Sequence, residues 1–281
     1  MSKNSTTEIN QPLIIEPQKG WQVINWSELI KYKDLIYFLI MRDVKAIYKQ
    51  TVLGFSWAIL RPVFHMIVFS VVFGKLAKIP SDGLPYPIFS YAAIVPWTYF
   101  ATSMTRSTSS LIGGAGMFTK VYFPRLIIPF TPIVAGLVDF IIAFSLIFAL
   151  MAWYGITPTV NILFIPFLVI LMILTASGMG MWLSALAIQY RDVPYGVQFL
   201  SQIMMYAAPV AWPVSLIPES YRFFYGFYPM AGVIEGFRAA LLGHNPMPWD
   251  LIATGSITAI LIFIFGAFFF RRKERIFADV V

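Results

Sequence analysis

Six stretches of about 20 mostly apolar residues recur along this chain, and each is long enough to cross a lipid bilayer as a helix. They are Val52–Phe73, Ile88–Met104, Leu126–Tyr154, Val160–Ile188, Gly196–Pro213 and Leu251–Phe270. In lipid the backbone must satisfy its own polar groups, so such runs read as helices even where Pro or Gly interrupts them. Composition agrees: of 281 residues 59% are hydrophobic and only 12% charged. Soluble domains carry about 25% charged residues, so this chain lacks the polar surface to coat a water-soluble body. A disordered chain, a collagen-like chain and a nucleic-acid-binding domain are excluded with it. The expected fold class is an all-α integral membrane protein with six transmembrane helices.

A seventh apolar stretch, Phe223–Leu242, contains Glu235 and Arg238 and is broken by Gly226, Pro229 and Gly232. It reads as a re-entrant external helix pair between spans 5 and 6. Ahead of span 1, residues 26–51 mix Leu35, Ile36, Phe38 and Leu39 with Lys33, Asp34, Arg42, Asp43 and Lys45. That pattern fits an N-terminal amphipathic helix in the interface, anchored on acidic lipid or touching a partner. Residues 1–25 form a polar tail, and 52–281 one membrane domain.

The net charge of +7 is distributed asymmetrically. Lys3, Lys19, Lys31, Lys33, Arg42, Lys45 and Lys49 precede span 1. Arg106, Lys120 and Arg125 mark the connection between spans 2 and 3, Arg191 that between spans 4 and 5, and Arg271, Arg272, Lys273 and Arg275 the tail. The opposite side holds Lys75, Lys78, Arg222 and Arg238. The positive-inside rule then puts both termini in the cytoplasm. The first residues lack the basic-then-apolar order of a cleavable signal peptide, so the mature chain is expected to keep them.

Several chemistries are missing. There is no Cys, which excludes disulfides and thiol nucleophiles, and His65 and His244 are too few for a His-based zinc centre. No Walker A, G-x-S-x-G, H-E-x-x-H or G-x-G-x-x-G pattern occurs, so any ATP-driven work needs another chain.

The charges inside the spans are the candidate functional residues. A carboxylate at bilayer depth costs about 2.5–3.5 kcal/mol on insertion scales, so Asp139 must face protein or water. It is either a polar point on a permeation route or a carboxylate satisfied by a neighbouring helix, for example by Arg61. Arg61 precedes Pro62, a helix-kinking residue, and can snorkel or line a cytoplasmic entrance. His65 is expected to be buried and hydrogen-bonded. Glu235 and Arg238, three apart on a helix after Pro229, share one face. They form a local ion pair or part of an external gate. Trp57, Tyr91, Trp97, Tyr99, Tyr206 and Trp212 belong to interfacial aromatic belts or stack on sugar rings along a channel.

The run Arg42-Asp43-Val44-Lys45-Ala46-Ile47-Tyr48-Lys49-Gln50-Thr51-Val52-Leu53-Gly54-Phe55-Ser56-Trp57-Ala58-Ile59-Leu60-Arg61-Pro62 resembles the leading signature of the ABC-2 type permeases, in their polysaccharide and polyol-phosphate export branch. Lys120-Val121-Tyr122-Phe123-Pro124-Arg125, Tyr190-Arg191-Asp192-Val193, Tyr228-Pro229-Met230, Glu235-Gly236-Phe237-Arg238 and Phe269-Phe270-Arg271-Arg272 extend the likeness over nearly the whole chain. O-antigen polysaccharide export permeases are the nearest in pattern, with teichoic acid export permeases next.

The resemblance implies a homodimer of six-helix subunits in the bacterial inner (cytoplasmic) membrane, with two copies of a separate ATP-binding cassette ATPase subunit. No cofactor is then expected on this chain, and ATP and Mg bind the partner. The implied substrate is a glycan on a polyprenyl pyrophosphate carrier, and teichoic acid or capsular polysaccharide is the alternative cargo. Residues around Ile112–Phe123 would form the helix that couples to the ATPase, with Gly113, Gly114 and Gly116 giving a sharp turn and Met117, Phe118 and Lys120 at the contact. Tyr228, Pro229, Glu235 and Arg238 would belong to the external gate. Arg42, Lys45, Lys49 and Arg61 suit the pyrophosphate, because cationic side chains make charge-assisted hydrogen bonds to phosphate; for the first three, ordinary positive-inside topology is the competing explanation. The rival classes are a membrane-embedded transferase of lipid-linked sugars and an ABC-2 exporter of small molecules.

Overall fold

Apolar runs with few charges satisfy their backbone only as helices, and a computed structural model of the chain is helical with no strand among the described residues. These are 30–49, 51–118, 123–274 and 277. Helix α1 (Lys33–Tyr48) leads into α2 (Ser56–Phe69), which widens into a π-helical turn over Ser70–Leu76. Then come α3 (Tyr86–Phe118), α4 (Ile127–Tyr154) and α5 (Ile165–Gln189), the last preceded by a 3₁₀ segment at Val160–Phe164. Helix α6 (Val193–Ala207), the short α7 (Glu219–Tyr225), α8 (Pro229–Leu242) and α9 (Trp249–Glu274) complete the order.

Helices α3, α4, α5, α8 and α9 pack into the core. Small residues let α5 and α9 touch backbone to backbone. A Cβ on Gly178 would stand 2.6 Å from the Phe263 nitrogen, and one on Gly266 would overlap the Gly178 carbonyl. Gly155 ends α4 at φ 67°, a left-handed turn that glycine adopts without steric cost. Arg125 Nη1 donates to the Glu274 carbonyl at 2.6 Å, fastening the end of α9 beside the start of α4.

Four segments are long and apolar enough to cross a membrane by length and composition: Ser56–Leu76, Ile127–Tyr154, Val160–Gln189 and Trp249–Glu274. The other two expected spans differ from the sequence reading. The second is not a short helix ending at Met104 but one of 33 residues reaching Phe118. It carries Ser103, Ser107 and Thr108, which its protein neighbours cover, and the half-buried Arg106. The fifth stops as a helix at Ala207, well short of Pro213. Its 15 residues rise about 22 Å, less than the hydrocarbon thickness of a bilayer.

The apolar stretch before α9 does form two short helices, and they contrast sharply. No residue of α7 is buried, whereas all 14 residues of α8 are. Burial in protein is the condition under which an interrupted helix is tolerated at membrane depth.

Candidate functional site

Tyr48 closes α1, and its hydroxyl donates to Asp139 Oδ1, in the middle of α4. Asp139 Oδ2 faces Arg106 of α3 at 3.6 Å, with both side chains about one-third exposed. The Asp139 carboxylate is therefore satisfied by Tyr48 and Arg106, not by Arg61 as the sequence suggested. Arg106 Nη1 is buried and makes no hydrogen bond, so the pair is loose. These groups line a cavity of about 380 Å³ bounded by α1, α2, α3 and α4. From α2, Trp57 and Arg61 line the same cavity, and the Arg61 guanidinium lies 5.6 Å from the centre of the Trp57 ring. Thr102 and Ser103 add hydroxyls.

Trp57, Arg61 and Asp139 are thus brought together. Arg42, Lys45 and Lys49 are not. Arg42 pairs with its neighbour Asp43 at 2.8 Å, and Lys45 on α1 and Lys49 just after it are exposed and outside the cavity lining. His65 is exposed, not buried, although its Nδ1 lies 3.0 Å from the Arg61 carbonyl. Tyr91, Trp97 and Tyr99 are core residues, and Tyr91 and Tyr99 donate their hydroxyls to the Ala143 and Ile133 carbonyls. Of the six aromatics considered for a channel, Trp57, Tyr206 and Trp212 keep accessible surface.

Gly113, Gly114 and Gly116 lie inside the continuous helix α3 rather than at a sharp turn, because helical hydrogen bonding carries on to Phe118. Met117 and Phe118 are its last residues, and Lys120 lies outside the described residues.

The second polar centre sits on α8. Arg238 is buried and donates from Nη1 to Glu235 Oε1 at 2.8 Å, from Nε to the Phe89 carbonyl at 3.2 Å and from Nη2 to the Val210 carbonyl at 2.9 Å. A longer Nη1 contact reaches the Trp212 carbonyl at 3.4 Å, and the guanidinium stacks 3.5 Å from the Phe89 ring centre. Glu235 Oε1 also accepts the Val214 amide at 3.2 Å. The ion pair foreseen from spacing exists, and it clamps the 208–214 turn to α3 and α8. Tyr228 precedes α8 and donates to the Met204 carbonyl at 3.2 Å, while Pro229 opens the helix.

Sequence reasoning missed Tyr48 and Arg106 as site residues. The signal for Arg106 was available. It lies in the hydroxyl-rich run Ser103-Met104-Thr105-Arg106-Ser107-Thr108-Ser109-Ser110, and a cation there needs a counter-ion. Among the described residues no three His, Cys, Asp or Glu cluster to hold a metal ion.

Residues 34–242 match the ABC-2 type transporter family. The chain belongs to that family. It is 29% identical over 258 residues to the O-antigen export system permease protein RfbA of Myxococcus xanthus, covering 90% of this chain and 98% of the relative. It is 26% identical to the protein of that name from Klebsiella pneumoniae, over 88% of this chain and 95% of the relative. A more distant likeness, 22% over 84% and 92% of the two chains, is to the polysialic acid transport protein KpsM of Escherichia coli. This ABC-2 chain is a multi-pass membrane permease and not an enzyme, and membership implies pairing with an ATP-binding subunit.

Proposed function

We propose that this permease exports a lipid-linked, O-antigen-type polysaccharide from the cytoplasm across the bacterial inner membrane, driven by ATP hydrolysis on its partner subunit. The observation that carries this reading is end-to-end similarity to O-antigen export permeases, at 98% and 95% coverage of two of them. The likeness to a polysialic acid transport protein keeps capsular polysaccharide as the second cargo.

The working unit is a homodimer with two ATP-binding subunits. The broad apolar faces of α2 and α6 support this: Phe64, Ile67, Val68, Phe199 and Ile203 are exposed and require lipid or a second copy. Each subunit has six crossings and both termini in the cytoplasm. Helix α3 supplies the second crossing, with Ser103, Ser107 and Thr108 covered by protein. Helix α6 supplies the fifth, extended by the clamped 208–214 turn. On this topology Tyr48, Arg61, Arg106 and Asp139 belong to a cytoplasmic-side entrance, and α7, α8 and the Arg238 clamp to the external gate.

ATP binding closes the partner pair. The motion passes through the segment around Ile112–Phe123 to α2 and α6, which part to let the glycan advance. Sugar faces stacking on exposed aromatics such as Trp57 and Tyr206 require no single sugar sequence. The test is reconstitution with and without the ATP-binding partner, measuring ATP-dependent movement of lipid-linked glycan into vesicles. Transport by the isolated chain on a proton gradient alone would refute the reading.

A further inference from the structure

The cavity at the α1–α4 junction holds an unbalanced set of charges. Two guanidinium groups, Arg61 and Arg106, line it with one carboxylate, Asp139, and among the described residues no other Lys, Arg, Asp, Glu or His contributes to the wall. Neither cation is held firmly. Among the described residues Arg61 has the Trp57 ring and no ion pair, and a ring face leaves the in-plane N–H groups of a guanidinium free to donate. Arg106 has Asp139 at 3.6 Å, beyond hydrogen-bond length, and its buried Nη1 has no hydrogen-bond partner. The carboxylate is the better anchored member, because Tyr48 donates to its other oxygen.

A buried donor left unmade is costly, and arginine matches phosphate oxygens bidentately. A volume of about 380 Å³ falls within the range of small-ligand sites. Position adds to this. Arg106 lies 20 residues after Tyr86, about 30 Å along α3, so on the proposed topology it stands at the opposite membrane boundary from Tyr86, near the end of α1.

We propose that Arg61 and Arg106 form a diphosphate-binding subsite in which Asp139 is the resident counter-ion, displaced from Arg106 when the diphosphate end of the lipid-linked substrate enters. The inference rests on the export reading above and deepens it. Asp139 offsets one of the two positive charges in the empty cavity, and it competes with the ligand for Arg106. After displacement it stays on Tyr48, so occupancy of the cavity is felt at the end of α1.

The test is titration of farnesyl diphosphate into the full-length chain in phosphatidylcholine nanodiscs, read by calorimetry, with farnesol as the phosphate-free control. Farnesyl diphosphate binds and farnesol does not. Arg106→Gln and Arg61→Gln each weaken binding about tenfold or more, and Asp139→Asn tightens it several-fold, because a competing anion is removed while the shape is kept. Tighter binding by Asp139→Asn is the decisive result: a carboxylate with only a structural role, or one that holds Arg106 in place for the ligand, gives weaker or unchanged binding and overturns the proposal. Should either arginine variant fail to fold, the near-isosteric Asp139→Asn arm still decides. Competition by inorganic pyrophosphate supports recognition through the phosphates. Equal competition by phosphatidylglycerol added to the nanodisc would reassign the cavity to bulk phospholipid head groups and overturn the substrate assignment. Because this binding needs no ATP-binding partner, its failure beside intact glycan export removes the subsite alone, and loss of glycan export in the wild type removes the reading beneath it.

Discussion

Replacing Glu235 by Gln isolates the charge of the buried clamp on α8. Gln keeps the volume and an acceptor oxygen for the Val214 amide, which now lies 3.2 Å from Glu235 Oε1. The change removes the negative charge opposite Arg238, whose Nη1 stands 2.8 Å away with side chains only 4% and 10% exposed. Removing one partner of a buried pair costs about 3–5 kcal/mol, because the remaining charge stays buried without compensation. Here the Phe89 and Val210 carbonyls continue to accept from Arg238, so the lower end, about 3 kcal/mol, is expected. Glu235→Ala also orphans the Val214 amide and adds a further ~1–3 kcal/mol. The assay is equilibrium unfolding in mixed micelles, with hydrogen exchange on residues 208–214 as the local readout. Glu235→Gln should speed exchange there before the rest of the bundle opens. A loss below about 1 kcal/mol, or a Glu235→Ala variant no less stable than Glu235→Gln, would refute the reasoning.

Glycine substitutions separate crowded from open positions. Gly178→Ala puts a methyl 2.6 Å from the Phe263 nitrogen and should cut the yield of folded protein, seen as loss of the monodisperse peak on size-exclusion chromatography. Gly113→Ala and Gly116→Ala meet nothing within 4 Å on a helix and should each stabilise by about 0.5–1 kcal/mol, measured as a rise in thermal midpoint. Asp82 accepts from Ser215 and Asn245, each at 2.8 Å, and so ties three connections together. Asp82→Ala should cost about 1–2 kcal/mol and open the 208–218 connection to proteolytic nicking.

Most of the helical framework was legible because lipid imposes one local rule: long apolar runs become helices. Ile127–Tyr154 and Val160–Gln189 are as apolar as their surroundings demand, and their ends follow from composition with Gly155 as a stop. The rule fails where a helix faces protein instead of lipid. Helix α3 can carry Ser103, Ser107 and Thr108 because α4, α5 and α8 cover that part of it, and Arg106 because it faces a cavity beside Asp139. Its polarity made the expected helix end too early, and the turn that the family resemblance implied at Gly113, Gly114 and Gly116 is instead continuous helix. The site was half legible for a similar reason. Spacing alone gave Glu235–Arg238, since both lie on one helix turn, whereas the partners of Asp139 come from α1 and α3, 91 and 33 residues away.

By itself the sequence determined what this protein must live in and what it must lack: charge is too scarce for water, and no Walker A motif is present to hold a nucleotide. Those are properties of composition and short-range order, which any packing of the chain would share. Which cation meets Asp139, and that a buried arginine on α8 ties down three carbonyls from other segments, only the tertiary structure decided. A buried charge takes whichever partner the packed helices bring within reach, and that choice is made across the bundle and not along the chain.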